Sequence, residues 1–526
     1  MFGKSGGNLH PAIAAAAIAG VFFLFGLVTI DDFGVTWDEP LHFAAGDLFL
    51  DRILDPEKPV SISDQEFEED IRYYGPFFDI WGSLNHRLFT LRLGLLKEDN
   101  ARHLHLLLAG GLTIFFTSLL AGEVFSTRVG IFSGLFLAAF PRFVGHSFNN
   151  PKDIPLALVF ILCLWFTYRR LITGRRGYSL LLLLAGGIGF ATRIQYLIAP
   201  VLLLILTIVY NSIISRPGKS FWSKIAGCWD IPLALLLTIP LGMLFWPYFW
   251  TSPLEKFQSM LDFYLRHPVQ AQLIIRYLGQ DYIPGLTLPW HYVPVMLTIT
   301  TPLFTLGSIL VGIGAMFRGL IRKKSGEKDK IGASLVLLWI IIGLLPFMLP
   351  GQRVYGGIRH FLFVVPAFCV TAGVGLDFIL ARFRAGWRRP ARAFAALLLL
   401  LLFISTYSYH PYYTIYYNGL VGGPRGAFGR FSVENWGNAY QAACRWLNRH
   451  APEGSTVLAL VAEQIPRWHL RPDITVLGPE AAADPSARYD YSIYILRDID
   501  PLLKPDKEPI FQISVKGQPI CNVHQW

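Results

Sequence analysis

The chain has 526 residues, 53% of them hydrophobic and only 16% charged, with a formal charge of +10. Soluble globular domains carry about a quarter charged residues, so the composition excludes an ordinary soluble protein and predicts a polytopic α-helical membrane protein embedded in a lipid bilayer. The positive charge does not call for nucleic acid, because the basic residues cluster between apolar runs, where membrane topology accounts for them.

Apolar runs close to the roughly 20 residues that cross a bilayer predict about 11 spans. They cover 11–30, 104–124, 129–147, 154–172, 178–192, 195–213, 228–246, 291–317, 331–350, 359–380 and 393–409. The first run follows Lys4, continues too far for a signal peptide and lacks a convincing cleavage site, so it reads as an uncleaved anchor. With the N-terminus inside, Arg128, Arg169 to Arg176, Arg216 to Lys224, Arg318 to Lys324 and Arg382 to Arg392 all fall on one side. That is the positive-inside bias, and an odd number of spans places the C-terminal part on the other side.

The first external loop, 31–102, is long and mixed. Leu41 to Leu54 and Phe77 to Leu96 predict amphipathic helices lying along the interface. Between them, Asp64 to Asp70 is an acidic run that reads as a solvated face. After Pro411 the chain turns Tyr- and Gly-rich and then resembles a small α/β unit. A helix is predicted within Asn435 to His450, strands at Thr456 to Val461, Ile474 to Leu477 and Tyr491 to Leu496, and a hairpin of Phe511 to Val515 with Ile520 to Val523 around Lys516-Gly517. The expected division is therefore a membrane part, 1–410, and an extracytoplasmic C-terminal region, 411–526. Of the five cysteines, Cys163, Cys228 and Cys369 read as packing residues. Cys444 and Cys521 could pair if that region is outside the cytoplasm.

Trp37 to Phe43 places two adjacent carboxylates and a histidine at the mouth of the first span. On a helix beginning at Asp38, the side chains of Asp38, Glu39 and His42 share a face; Asp38 could equally serve only as an N-cap. Other ionisable residues on the same side are Arg72, His86, His146, Lys152, Asp153, Arg193, Arg353, Arg359 and His360. Such groups at the membrane edge are costly and point to function. Carboxylates supply a general base and fixed cations stabilise a departing oxyanion, which suits transfer of a group away from a phosphate. A proton-coupled transporter or lipid-sugar flippase would use the same residue types as a relay. Each residue also has a structural alternative: Arg353 and Arg359 as anchors of span ends, Lys152-Asp153 as a mutual ion pair, His103 and His105 as interfacial groups. No cofactor is required by any motif. A divalent metal held by Glu39, His42 and His146 is open on ligand type. No phosphate-binding G-x-x-x-x-G-K-[ST] loop and no G-x-S-x-G elbow is present.

Asp38-Glu39 with His42-Phe43 resembles the acidic pair of the protein O-mannosyltransferase-like glycosyltransferases, multispanning enzymes of GT-C architecture. The resemblance extends to Tyr73-Tyr74-Gly75-Pro76, Pro141-Arg142-Phe143 with His146, Asn150 to Pro155, Gly357-Ile358-Arg359-His360 and Asn418 to Gly423. It implies inverting transfer from a polyprenyl-phosphate sugar to a glycolipid, polysaccharide or protein acceptor. The reaction would take place on the non-cytoplasmic side of what is expected to be a bacterial inner membrane. Asp38 matches the proposed base, and Glu39 would orient the base or acceptor, or contact a metal. Arg193, Arg359 and Lys152 would face the donor phosphate. His42, Tyr74, His146, Asp153, Arg353 and His360 would surround the site or meet the acceptor.

Overall fold

The computed structural model describes residues 10–55, 71–214, 227–266, 274–322, 326–434, 436–496 and 507–526. The acidic run Asp64 to Asp70 and the basic residues Arg216, Lys219, Lys224, Lys323 and Lys324 lie outside the described residues. Among the described residues, eight helices are long and apolar enough to cross a membrane, or up to nine if one bent pair counts as a span. Two shorter apolar helices, Gly177–Phe190 and Asp230–Leu244, stand at two further predicted spans.

Two predicted spans are interrupted, and proline explains both. The run 129–147 is a helix Thr127–Ala138 and a second, Pro141–Asn149, bent by 66°. The run 291–317 is split into Tyr292–Thr300 and Leu303–Ile321 around Thr301-Pro302. A proline lacks the N–H that would continue the helix and turns the preceding residue away from helical backbone.

The span Arg359–Arg382 is 83% buried inside the protein, whereas Ala385–Tyr407 is only 22% buried, which puts the first at the centre of the bundle and the second on its lipid-facing rim. Close packing at the centre uses small residues: a Cβ on Gly312 would run into the carbonyl of Thr371, and one on Gly375 into the carbonyl of Ser308. That is the small-residue logic of helix pairs in membranes, where backbones gain by approaching closely. At the cytoplasm-predicted ends, Glu123 pairs with Arg169 at 3.2 Å and Asp377 with Arg128 at 3.0 Å. Both carboxylates thus stand in ion pairs.

In the loop 31–102 the two predicted helices form as Glu39–Leu54 and Phe77–Asn85, the latter continuing as a π-helix His86–Arg92. A helix Pro253–Arg266 and a hairpin of β1 (Ile275–Tyr277) and β2 (Gln280–Tyr282) follow the seventh predicted span. Tyr264 from that helix donates to the carbonyl of Tyr73 at 3.0 Å, and Phe263 stacks on the Tyr73 ring at 4.5 Å.

The C-terminal unit is a five-stranded sheet of β3 (Thr456–Ala459), β4 (Thr475–Leu477), β5 (Tyr491–Ile495), β6 (Phe511–Val515) and β7 (Gln518–Gln525), in the order β4-β3-β5-β7-β6. The β3–β4 and β3–β5 pairs are parallel, and β7 is antiparallel to both neighbours. Lys516 and Gly517 make the predicted hairpin turn with φ of 50° and 76°. The helix Tyr440–His450 packs on the sheet, with Trp446 stacked on Phe511 at 5.1 Å. Cys444 and Cys521, whose pairing the sequence left open, are both buried and free. Ahead of the sheet, Asn418 ties the chain to the membrane-part helices by donating to the carbonyls of Thr298 and Thr301, both at 2.7 Å.

Candidate active site

The strap 31–38 joins the first span to the helix Glu39–Leu54, and the C-terminal unit clamps it. Arg445 donates to the carbonyl of Asp31 at 2.6 Å, the N–H of Val35 to Nε2 of His469 at 3.2 Å, and Gln464 to the carbonyl of Trp37 at 3.2 Å. The N–H of Trp37 bonds to the carbonyl of Trp436 at 3.0 Å.

At the end of the strap the acidic pair divides. Glu39 is fully buried; its Oε2 accepts from the N–H of Thr36 at 2.7 Å and from the Thr36 hydroxyl at 2.9 Å. Its Oε1 meets Nε2 of His103 at 2.8 Å. Glu39, the first helical residue, thus reaches back as the glutamate of a capping box does to an N–H ahead of the helix. Asp38 occupies the N-cap position without a side-chain cap bond. Its Oδ2 instead accepts from Nη1 of Arg359 at 2.9 Å, and its side chain remains 40% exposed. Glu39 therefore leaves the predicted shared face, on which Asp38 and His42 remain one turn apart: Asp38 is the reachable carboxylate, and Glu39 is committed to the scaffold.

Recession from solvent pushes the Asp38 carboxyl up, but the charges of Arg359, His42 and Arg193 outweigh it and hold the group below its ordinary value of 3.8. Asp38 is thus ionised at neutral pH, as a base must be. The guanidinium of Arg359 lies between two rings, 4.5 Å from the centroid of Tyr355 and 4.8 Å from that of Trp436, which adds cation–π attraction and fixes its plane.

Two further ion pairs stand beside the first. Arg193 bonds to Asp153 through Nη1 and to Gln195 through Nε at 2.9 Å. Lys152 donates to Asp79 at 2.6 Å and to the carbonyl of Gly75 at 2.7 Å. Lys152 and Asp153 therefore face different partners and form no mutual pair. Asn150 sets this divergence, its Oδ1 accepting from the N–H of Lys152 at 3.2 Å and of Asp153 at 2.9 Å while its Nδ2 donates to Asp153 at 2.8 Å. An Asn side chain acting as a local turn before a helix is the physical content of the Asn150-Pro151-Lys152-Asp153 motif. Burial draws the Lys152 ammonium below its ordinary value against the opposing charge of Asp79.

His42 Nδ1 lies 3.4 Å from Asp79, with its ring edge-on to Tyr74 at 6.3 Å. Burial pushes the Tyr74 phenol up; Tyr355 and Asp38 act in the same direction and Arg193 and Arg359 oppose it, which places Tyr74 among these groups. His360 is buried edge-on to Tyr355 at 4.5 Å. Arg353 is half-buried against the turn at Gly285. His146 is buried beside Asn150 at 3.1 Å and Trp436 at 5.2 Å. Glu39, His42 and His146 are consequently held by different partners, and among the described residues no group of three His, Cys, Asp or Glu side chains is arranged to hold a metal. His103 and His105 are buried rather than interfacial.

Sequence reasoning missed Asp79, Tyr355 and Trp436. Asp79 carried a signal, a lone acid in an otherwise apolar helix start; Trp436 and Tyr355 carried none that spacing could reveal.

Residues 89–244 match the family model described as dolichyl-phosphate-mannose-protein mannosyltransferase. No curated protein sequence matches the chain. The fold is similar to that of ArnT from Cupriavidus metallidurans in the apo state, at 13% identity and a TM-score of 0.52, covering 97% of each chain. It is similar also to ArnT from the same organism bound to undecaprenyl phosphate, at 16% identity and a TM-score of 0.50, again over 97% of each chain. By fold, the chain is of the GT-C type. It is an integral membrane protein. In this fold the loop 31–102 supplies Asp38, His42, Tyr74 and Asp79 to the candidate site. The loop ahead of the Asp153–Thr173 span supplies Lys152, and the first turn of that span supplies Asp153. Arg193 lies at the break after the helix Gly177–Phe190, and the turn before the Arg359–Arg382 span closes the site.

Proposed function

We propose that the protein transfers a sugar from a polyprenyl-phosphate donor to an acceptor hydroxyl with inversion, on the non-cytoplasmic side of a bacterial inner membrane. The observation that carries this reading is the half-exposed, ionised Asp38 bonded to Arg359 at the head of a helix. Asp38 takes the proton of the acceptor hydroxyl as its oxygen attacks the anomeric carbon. The bond from that carbon to the phosphate oxygen breaks, and its electron pair leaves with the phosphate. Arg359 and Arg193 face that phosphate, and both are already oriented by carboxylates, so little reorganisation accompanies charge development. Lys152, buried and doubly bonded, holds Asp79 and the 71–79 segment in place for them. The undecaprenyl phosphate present in the similar ArnT structure supports a polyprenyl carrier. A glycolipid, a polysaccharide or a protein can each offer the acceptor hydroxyl. We assign residues 1–410 to the catalytic membrane part and 411–526 to an extracytoplasmic region that braces the strap.

The test is reconstitution with an undecaprenyl-phosphate-linked sugar and detection of released undecaprenyl phosphate together with glycosylated acceptor. Arg359→Gln is expected to lower the rate by about 10²–10³-fold, the range for losing one preorganised donor to a developing oxyanion. Transport of the lipid-linked sugar across sealed vesicles without release of the phosphate would defeat the transferase reading.

A further inference from the structure

Two guanidinium groups with incompletely satisfied buried N–H donors meet at the turn that precedes the central span. Arg142, at the start of the helix Pro141–Asn149, is 4% exposed and lies over Tyr417, 4.9 Å from the ring centroid. Its Nε makes one long bond, 3.4 Å, to the carbonyl of Tyr416, and its Nη2 is buried with no partner among the described residues. The Nε of Arg359 is buried and unpartnered among the described residues in the same way. His146 lies within electrostatic reach of both Arg142 and Arg359, and Trp436 touches both His146 and Arg359, so these groups occupy one neighbourhood. Buried donors are normally satisfied, and leaving one unpaired costs its full desolvation.

The backbone is shaped around the guanidinium. Gly356 and Gly357 have φ of 66° and 72°, and a Cβ on Gly357 would collide with Nη1 of Arg142. Glycine at 357 thus serves the left-handed backbone and the arginine at once. The charges are uneven as well. Arg359, Lys152 and Arg193 are each matched by a carboxylate, Asp38, Asp79 and Asp153 in turn. Arg142 has no carboxylate partner among the described residues, and a guanidinium cannot shed its proton to escape burial.

The proposed reaction creates the charge that is missing. A polyprenyl-phosphate sugar is a phosphodiester with one negative charge, and breaking the anomeric carbon–oxygen bond leaves a phosphomonoester with a second. We propose that Arg142, with the Nε–H of Arg359, receives the departing polyprenyl phosphate and stabilises its second charge. This rests on the transferase reading and adds a residue that the carboxylate-paired cations do not replace.

Binding of undecaprenyl phosphate to the purified full chain in nanodiscs tests it without knowledge of sugar or acceptor. Arg142→Gln is expected to weaken binding at least tenfold while the thermal midpoint of the unliganded protein stays level or rises, because a buried unpaired charge has been removed. Arg142→Lys should restore part of the affinity, and Gly357→Ala should weaken binding by displacing the guanidinium. Affinity of Arg142→Gln within twofold of wild type overturns the proposal and makes Arg142 a packing group on Tyr417. If Arg142→Gln loses both stability and affinity, Arg142→Lys decides: recovered affinity supports the proposal, and recovered stability alone overturns it. Wild-type protein that binds no undecaprenyl phosphate overturns the transferase reading and this inference with it.

Discussion

Asp38→Asn is expected to cut sugar transfer by about 10²–10⁴-fold, the contribution of a positioned general base, while membrane insertion, folding and donor binding persist. The amide keeps the volume and can still accept a hydrogen bond from Arg359, so the turn at the head of the helix Glu39–Leu54 is preserved. What is lost is the lone pair that takes the acceptor's proton and the charge that balances Arg359. Because Arg359, His42 and Arg193 hold the wild-type carboxyl below 3.8, the pH profile follows with a definite sign. The base is ionised across neutral pH, the Asp38-dependent part of the rate is flat there, and it falls only on acidification into or below the ordinary carboxylate range. A profile that rises through neutrality would instead report a base of higher pKa and remove Asp38 from the role. Rates measured from pH 4 to 8 for wild type and Asp38→Asn, with undecaprenyl phosphate binding as a control for intact sites, separate these outcomes.

The parts of the fold that were legible in the sequence are those governed by local physics. Apolar run length marked the spans, and alternating strands with Lys516-Gly517 between them marked the β6–β7 hairpin. Pro141 and Pro302 stood inside predicted spans as breaks that length alone passed over. The order of the sheet was not legible, since the parallel β3–β4 and β3–β5 pairs depend on contacts between distant segments. At the site, Asp38 could be singled out because a carboxylate at the mouth of a span is costly, whereas its partner Arg359 lies 321 residues away and no spacing rule connects them. The pairing of Lys152 with Asp79 rather than Asp153 likewise arises from tertiary packing. Glu39 is the instructive case. Thr36-x-x-Glu39 was present as a capping pattern, but two adjacent acids read more readily as two chemical groups than as one chemical and one structural.

That distinction yields the second large effect. Glu39→Ala is expected to destabilise the protein by about 3–5 kcal/mol, the cost of removing one member of a buried ion pair, with activity lost through unfolding rather than through chemistry. Three groups lose their acceptor together: the N–H of Thr36, its hydroxyl and Nε2 of His103. The Thr36 hydroxyl retains a 3.3 Å bond to the carbonyl of Asn149, but the N–H has no other partner in that buried position. Glu39→Gln keeps one oxygen as acceptor for Thr36 and should cost less. The two acidic residues then give opposite signatures. Asp38→Asn leaves the thermal midpoint near wild type and removes the rate. Glu39→Gln lowers the midpoint, and below it the folded fraction still turns over, because the strap continues to present Asp38 to Arg359. Thermal unfolding in detergent alongside transfer rates at low temperature reads both at once. A Glu39→Gln protein with an unchanged midpoint and a rate as low as that of Asp38→Asn would return Glu39 to the chemistry and overturn its assignment as the anchor of the strap.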